Sequence, residues 1–438
     1  MLSAPCFSQV SDSTKIALSL QGAKEYALAY NRKIKTADYA VLKSEQAKWQ
    51  AIATMLPHAE ASLAYVNMCG YKMKMPSMGA ANYDTDKSNT QSQTKSGEIP
   101  MNPNGTFSIQ ATIAISGAQI MATRLSELSK SLAETNKDIS ELDIKNQITE
   151  AYLAVLLAEK SKELLLDSRN NLNRLAEATQ KSVEVGILES TDADIIEVQV
   201  LSLDNSIRSL EQNIEIAYNS LRIILCANAD TEIDLTQELD DLLDEDNIMQ
   251  VLGTTYDVNN DYNIQLIDKN IELAKRQVQL NKWAYGPTLS AYYQYNNKTY
   301  FNKDAGFNMS NPHTVGATLS VPLFSSAERL SKVRQAKYDV LTAELAKDDA
   351  VDGLLMKEKT LRFLLQTSIE SYRIQKKNVE VYQRIFDKSS QKYSEGVISS
   401  TDLITISNNL ITAQNAYVSA MNDVLTAQTK LQYLLNTL

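Results

Sequence analysis

EVGILESTDADIIEVQVLSL (residues 184–203) and SEGVISSTDLITISNNLITA (residues 394–413) are one passage written twice. At a constant offset of 210 the surrounding stretches, Leu175–Leu225 and Ile385–Leu435, need no gap. Gly186 falls on Gly396, Ser190-Thr191-Asp192 on Ser400-Thr401-Asp402, and Asn205 on Asn415. Leu403, Ile406, Leu410, Ala413, Tyr417, Ala420, Val424, Ala427, Leu431 and Leu434 alternate spacings of three and four, and their counterparts from Ala193 to Ile224 are apolar again. An unbroken seven-residue repeat of this length means helices wound around partner helices in a left-handed sense. A glycine turn and a Ser-Thr-Asp cap precede each copy, so each copy is the returning arm of a helical hairpin. The chain is a tandem duplication built on two such hairpins.

Composition narrows the function classes. The 438 residues carry a formal net charge of −10, which argues against a nucleic-acid surface, because that work needs a basic face. The 8 prolines leave two long tracts free, one between Pro103 and Pro287 and one after Pro322, and there long helices can run. No apolar run reaches the length of a membrane-spanning helix. Cys6, Cys69 and Cys226 lie far apart and make no metal or redox motif. Residues 1–11 read as a signal-peptide remnant or N-terminal tail, with small residues around Cys6 and Ser8.

The first repeat spans 12–225. Its opening, from about Asp12 to Leu56, has helical spacing, with Ala27, Tyr30, Ile34, Ala37 and Val41 on one face, and Pro57 stops it. The second repeat, 257–438, opens the same way and stops at Pro287, now at an offset of 230. After each proline the period becomes two. Strands are expected at about 58–69, 107–116, 288–297 and 313–324, each near the 9–11 residues a tilted strand needs to cross a bilayer. Four strands cannot close on themselves, and no membrane tolerates open edges. Either several chains share one barrel or the strands are not in a membrane. Tyr65, Tyr71, Tyr292, Tyr293, Tyr295 and Tyr300 are expected near the strand ends, as an interfacial girdle. Residues 70–106 and 297–312 read as exposed loops. Met68, Met73, Met75, Met78 and Met101, in or beside the first loop, are read as loop packing in preference to a path for Cu(I). A helix from Ala118 to about Val185 would be roughly 100 Å long, which suits a tube and not a globule. Residues 226–256 break the pattern: between Asp230 and Asp246 there are nine acidic residues and no lysine or arginine. This segment reads as an acidic connector, solvated in preference to partner-binding.

The order of helix, Pro57, two strands, long helix, Gly186 tip and returning helix, repeated through Pro287, Gly396 and Leu434, resembles the TolC-like outer-membrane efflux channels of Gram-negative bacteria. The resemblance covers the whole chain. It implies a mainly α fold with a membrane β-barrel: a homotrimer whose four strands per chain close a twelve-stranded barrel in outer-membrane lipid, and whose coiled-coil hairpins form a hollow periplasmic α-barrel. Residues 226–256 would lie in an equatorial collar. It also implies partners, a periplasmic adaptor (membrane fusion) protein and an inner-membrane pump of RND or ABC type, and no cofactor or metal. By the same resemblance Gly186-Ile187-Leu188 and Gly396-Val397-Ile398 are the tip turns that meet the adaptor, and Asp192, Tyr393 and Asp402 hold the gate. Three copies of Asp402 would form a ring that favours cations. The family often has a gate arginine where this chain has Ile398, and a second aspartate where it has Thr405. The charged latch is therefore only partly present. Helix capping accounts for Asp192 and Asp402 equally well.

The two histidines, His58 and His313, each stand at a strand entrance, and no phosphate loop, nucleophile elbow or metalloprotease helix is present. The reading is a passive exit duct and not an enzyme. Within it, small-molecule or metal efflux and type I protein secretion use the same architecture. The rival from another class is a soluble coiled-coil scaffold, which explains the heptads but not the four strands.

Overall fold

The computed structural model describes residues 15–74, 98–101, 103–301 and 312–438. The expected tail at 1–11, with Cys6, lies outside these residues, as do Met75, Met78 and most of both loops.

In chain order the elements begin with β1 (Ile16–Leu18), α1 (Leu20–Tyr30), α2 (Arg32–Ala53), β2 (His58–Val66), β3 (Lys72–Lys74), β4 (Glu98–Pro100) and β5 (Asn104–Ser116). Then come α3 (Gly117–Glu184), α4 (Ser190–Leu225), β6 (Ile233–Leu235), α5 (Leu239–Leu242) and α6 (Glu245–Gly253). The chain closes with α7 (Tyr262–Trp283), β7 (Thr288–Tyr300), β8 (His313–Ser320), α8 (Glu328–Ser394) and α9 (Ser400–Leu434). Two compact units result. One takes Ser44–Ser129 and Glu272–Val340; the other takes the residues up to Lys43, Lys130–Ile271 and Leu341–Leu438.

The first of these units holds an antiparallel sheet in the order β2-β5-β7-β8. Its two faces differ because alternate residues point opposite ways. The register Ala61–Ile109–Tyr295, Ala59–Ala111–Tyr293–Val315, Ile113–Ala291–Ala317 and Ile115–Leu289–Leu319 makes one face apolar. The other face carries Glu60–Gln110–Gln294–Thr314, Ser62–Ser108–Asn296 and Ala114–Ser290–Thr318. Leu63, Val315 and Leu319 of the apolar face are 83 %, 78 % and 65 % exposed within the chain, so this face has no cover of its own. β2 and β8 are edges.

The strand bounds depart from the periodicity at both ends. β2 stops at Val66 because Asn67 turns the chain, its side chain accepting from the Cys69 amide ahead of Cys69 and Gly70 at positive φ. β8 stops at Ser320, ahead of Pro322, whose ring restricts Val321 and offers no N–H. β5 and β7 run further than expected, since Asn104 pairs with Tyr300. The tyrosine girdle is only partly there. Tyr65 and Tyr300 sit at the loop end of the sheet, but Tyr292 is mid-strand on the polar face, its ring over Gly316 where a Cβ would meet it at 2.6 Å.

The helical unit contains most of α3 and α8, with α4 and α9 returning beside them. The long helices tolerate many Ser and Thr because these hydroxyls donate to carbonyls four residues back, as Thr123, Ser126, Thr149 and Ser182 do. Ala193, Ile196, Val200, Leu203 and Ile207 of α4 are buried, and so are Leu403, Leu410, Ala413, Ala420, Val424, Leu431 and Leu434 of α9. The expected opening helix is not continuous. Residues 16–18 form β1, parallel to β6, and Asn31 divides α1 from α2, its amide donating to the Ile224 carbonyl while its oxygen caps Lys33. The acidic connector is also more than solvated chain. Leu239, Leu243, Ile248 and Val251 are buried in the core shared with Leu221, Leu361 and Leu431, while the carboxylates face outward. Arg362 donates to the carbonyls of Leu252 and Thr254, and Arg373 pairs with Glu245 at 2.7 Å.

Candidate functional site

Both hairpins turn by the same construction. After α3 the Gly186 amide bonds the Val183 carbonyl at 2.9 Å and the Ile187 amide reaches back to Ser182 at 2.9 Å. After α8 the Gly396 amide bonds Tyr393 at 2.9 Å and the Val397 amide bonds Lys392 at 2.8 Å. This paired pattern closes a helix through a left-handed residue. Gly186 has φ +77° and Gly396 φ +73°, and nothing lies within 4 Å of an added Cβ at either. Backbone handedness, not crowding, selects glycine at both. The residue after each glycine stands out from the surface: Ile187 is 75 % and Val397 65 % exposed. The next, Leu188 and Ile398, turn inward against a core of Leu175, Leu203, Phe386 and Leu403.

The helix caps sit one residue earlier than the Ser-Thr-Asp motif suggests. α9 is capped by Ser399, whose oxygen accepts from the Asp402 amide at 3.1 Å, and the Asp402 carboxylate accepts from the Ser399 amide and hydroxyl in return. The Asp402 carboxylate is therefore committed to its own helix terminus, on the surface of the chain. At the equivalent place in α4 the cap is Glu189, which makes no side-chain cap bond. Asp192 instead accepts a hydrogen bond from Ser400 of the other hairpin, and Ser400 is only 2 % exposed.

Tyr393 is buried, 5 % exposed, and its phenol oxygen accepts from Thr179 at 3.3 Å. Burial raises its pKa above the ordinary tyrosine value; the Thr179 bond opposes this and the nearby Asp192 charge adds to it. Tyr393 is neutral at physiological pH. Two further ties join the hairpins away from the tips: Gln199 donates to Asn408 at 2.9 Å and Ser168 to Gln414 at 3.1 Å. Asp192 and Tyr393 thus belong to one polar seam between α3–α4 and α8–α9, whereas Asp402 does not join it within the chain. Thr179, Ser399 and Gln414 were not singled out from sequence, and Ser400 was read only as a helix cap. Ser400 had a signal, the serine doublet Ser399-Ser400 that leaves one hydroxyl spare after the cap is made. Thr179 had only its place as a polar residue in line with Leu172 and Leu175, and Gln414 lies outside the apolar row, in register with Ser407, Met421 and Gln428.

Residues 258–437 match the family model described as outer membrane efflux protein. The first half repeats the pattern of that region, 230 residues earlier at β2 and β7 and 210 residues earlier at α4 and α9. No curated protein matches the chain by sequence. Among solved structures, the outer membrane protein VceC of Vibrio cholerae is 15 % identical, with TM-score 0.70 and 95 % of each chain covered. The CmeC outer membrane channel of Campylobacter jejuni is 14 % identical, with TM-score 0.71 over 95 % of this chain and 85 % of that one. The open state of the MtrE outer membrane channel of Neisseria gonorrhoeae is 14 % identical, with TM-score 0.72 over 95 % of this chain and 88 % of that one. The fold is thus that of these outer-membrane proteins.

Proposed function

We propose that this chain is the outer-membrane exit duct of a tripartite efflux system. It would pass substrates from a periplasmic adaptor and an inner-membrane pump to the outside without chemistry of its own. The observation that carries the reading is the sheet: four antiparallel strands with one apolar and one polar face, and with unpaired edges at β2 and β8. No helix among the described residues is long and apolar enough to cross a membrane. An apolar face meeting lipid and a polar face lining water is what a barrel wall needs, and the edges need partners that only further chains supply. A homotrimer fits, with β2 of one chain beside β8 of the next.

Gate and docking roles follow from the tips. Ile187 and Val397 stand out on tight glycine turns and are suited to meet an adaptor. Asp192 and Tyr393, with Ser400 and Thr179, would hold the hairpins together in the shut state, and Asp402 would add negative charge at the constriction. Opening would separate the hairpins along the polar seam.

The test is mass by light scattering on protein extracted from the outer-membrane fraction in mild detergent. The expected result is three times the 48.8 kDa of one chain once detergent is subtracted. A monomer that stays in solution without detergent would overturn the duct in favour of a soluble scaffold.

A further inference from the structure

The apolar face of the sheet ends, on the side of the long helices, at the row Ile115–Leu289–Leu319. Beyond this row Trp283, the last residue of α7, lies on Gly117, the first residue of α3. A Cβ at Gly117 would meet the indole at 2.1 Å, so only glycine admits the ring there. Trp283 is nonetheless 51 % exposed. The row, the indole and the first turns of α3 enclose a cleft of about 340 Å³. Its walls are apolar apart from Ser116 and one charged residue, Arg124. Arg124 is exposed and makes no salt bridge or hydrogen bond among the described residues; the neighbouring Glu127 is bonded to Lys48 at 2.8 Å and acts on Arg124 only through its charge.

We propose that this cleft binds an anionic phospholipid, with an acyl chain along Ile115, Leu289 and Leu319 and the headgroup phosphate on Arg124. The proposal rests on the reading of the sheet as a membrane wall. Two features select an amphiphile over other occupants. The apolar wall runs without a step into the exposed apolar face of the strands, so whatever fills the cleft has a tail that continues along the sheet. At the far end stands a single unpaired guanidinium, which matches a phosphate in shape and charge. A soluble anion would have no use for the wall, and a protein segment would have to lie in the hydrocarbon. An indole at this level marks the headgroup region, where tryptophan collects.

The chain has 2 tryptophans, so Trp49→Phe leaves Trp283 as the only indole. That protein, as assembled from the outer membrane, is placed in nanodiscs of unbrominated phosphatidylcholine. Phosphatidylglycerol or phosphatidylcholine with brominated acyl chains is then titrated in, and quenching is read. One basic side chain near a bilayer surface predicts an association about fivefold stronger for the anionic lipid. Arg124→Gln should bring the two lipids to parity with the assembly mass unchanged, and Arg124→Lys should keep most of the preference. Equal quenching by both lipids in the Trp49→Phe protein, or a preference that survives Arg124→Gln, would overturn the site and leave the duct standing. Absence of quenching by either lipid, in a protein that does not enter the nanodisc, would overturn the site and the membrane wall together.

Discussion

Asp192 and Asp402 occupy equivalent places in the two repeats and are used differently. The difference is set by the residue three positions before each. Ser399 has a short hydroxyl that can cap α9 and draw Asp402 into a reciprocal pair. Glu189 makes no such bond, which leaves the Asp192 carboxylate for Ser400. A hydrogen bond to a carboxylate contributes about 1.5–3 kcal/mol, and the loss is smaller where water can replace the donor, so about 1 kcal/mol is a fair figure at this half-buried pair. Ser400→Ala removes one such tie from each chain and is therefore expected to raise the open fraction of channels in planar bilayers at least about fivefold, with the trimer intact. An unchanged open fraction would remove Asp192 and Ser400 from the shut state. Asp402→Ala makes a separate expectation: cation preference in single-channel recordings should fall, because the exposed carboxylate contributes charge and not a tie between hairpins. Unchanged selectivity would leave Asp402 as a cap alone.

At the scale of elements, the hairpins and strands were legible because each repeats a period over many residues. Heptads from Leu403 to Leu434 read as one buried stripe, and Ile109 to Ile115 as one face of a sheet. What was not legible depends on single long-range contacts. β1 forms only because Ile233 lies beside Ile16, 217 residues on, and the break at Asn31 only because the Ile224 carbonyl is there to bond. The connector hid its packing because its charges outnumber its five buried apolar side chains, Ile233, Leu239, Leu243, Ile248 and Val251. Around it, half-buried tyrosines meet carboxylates: Tyr218 bonds Glu159 at 2.7 Å, Tyr433 bonds Asp143 at 2.7 Å, and Tyr256 bonds Asp261 at 3.1 Å. Burial first, then the carboxylate, raises all three pKa values well above the ordinary range. The unfolded chain loses these phenol protons near pH 10, before the folded chain does, so the stabilisation is full below about pH 10 and is lost as pH rises above it. Thermal unfolding should accordingly hold its midpoint from neutral pH to about pH 9 and fall steeply beyond pH 10. Tyr218→Phe with Tyr433→Phe should flatten that fall. A midpoint that drops as early and as steeply in the double variant would assign the alkaline loss to other groups.

At the scale of the molecule the unsolved quantity of the single chain is its edges. β2 offers one edge of His58–Val66 and β8 one edge of His313–Ser320, each paired on its inner side alone. Each unpaired buried amide or carbonyl would cost a few kcal/mol in hydrocarbon, which over eight or nine residues exceeds the whole stability of an ordinary domain. A membrane form must therefore pair them, and in a ring of identical chains the only consistent pairing is head to tail, β2 of one to β8 of the next. Antiparallel neighbours directly opposite one another bring Cβ atoms to about 4.5–5.5 Å, close to what a disulfide spans. With Cys6, Cys69 and Cys226 changed to serine, one cysteine is fixed at Ala61 on β2, and a second is moved through Val315, Ala317 and Leu319 on β8, which share its face. At one of these registers, mild oxidation in outer-membrane vesicles should give covalent dimers and trimers and nothing larger, because a closed ring has no further edge to offer. A ladder running past the trimer would mean open head-to-tail growth. Cross-links at no register would mean that β2 and β8 never meet, and the strands would need another explanation than a shared barrel.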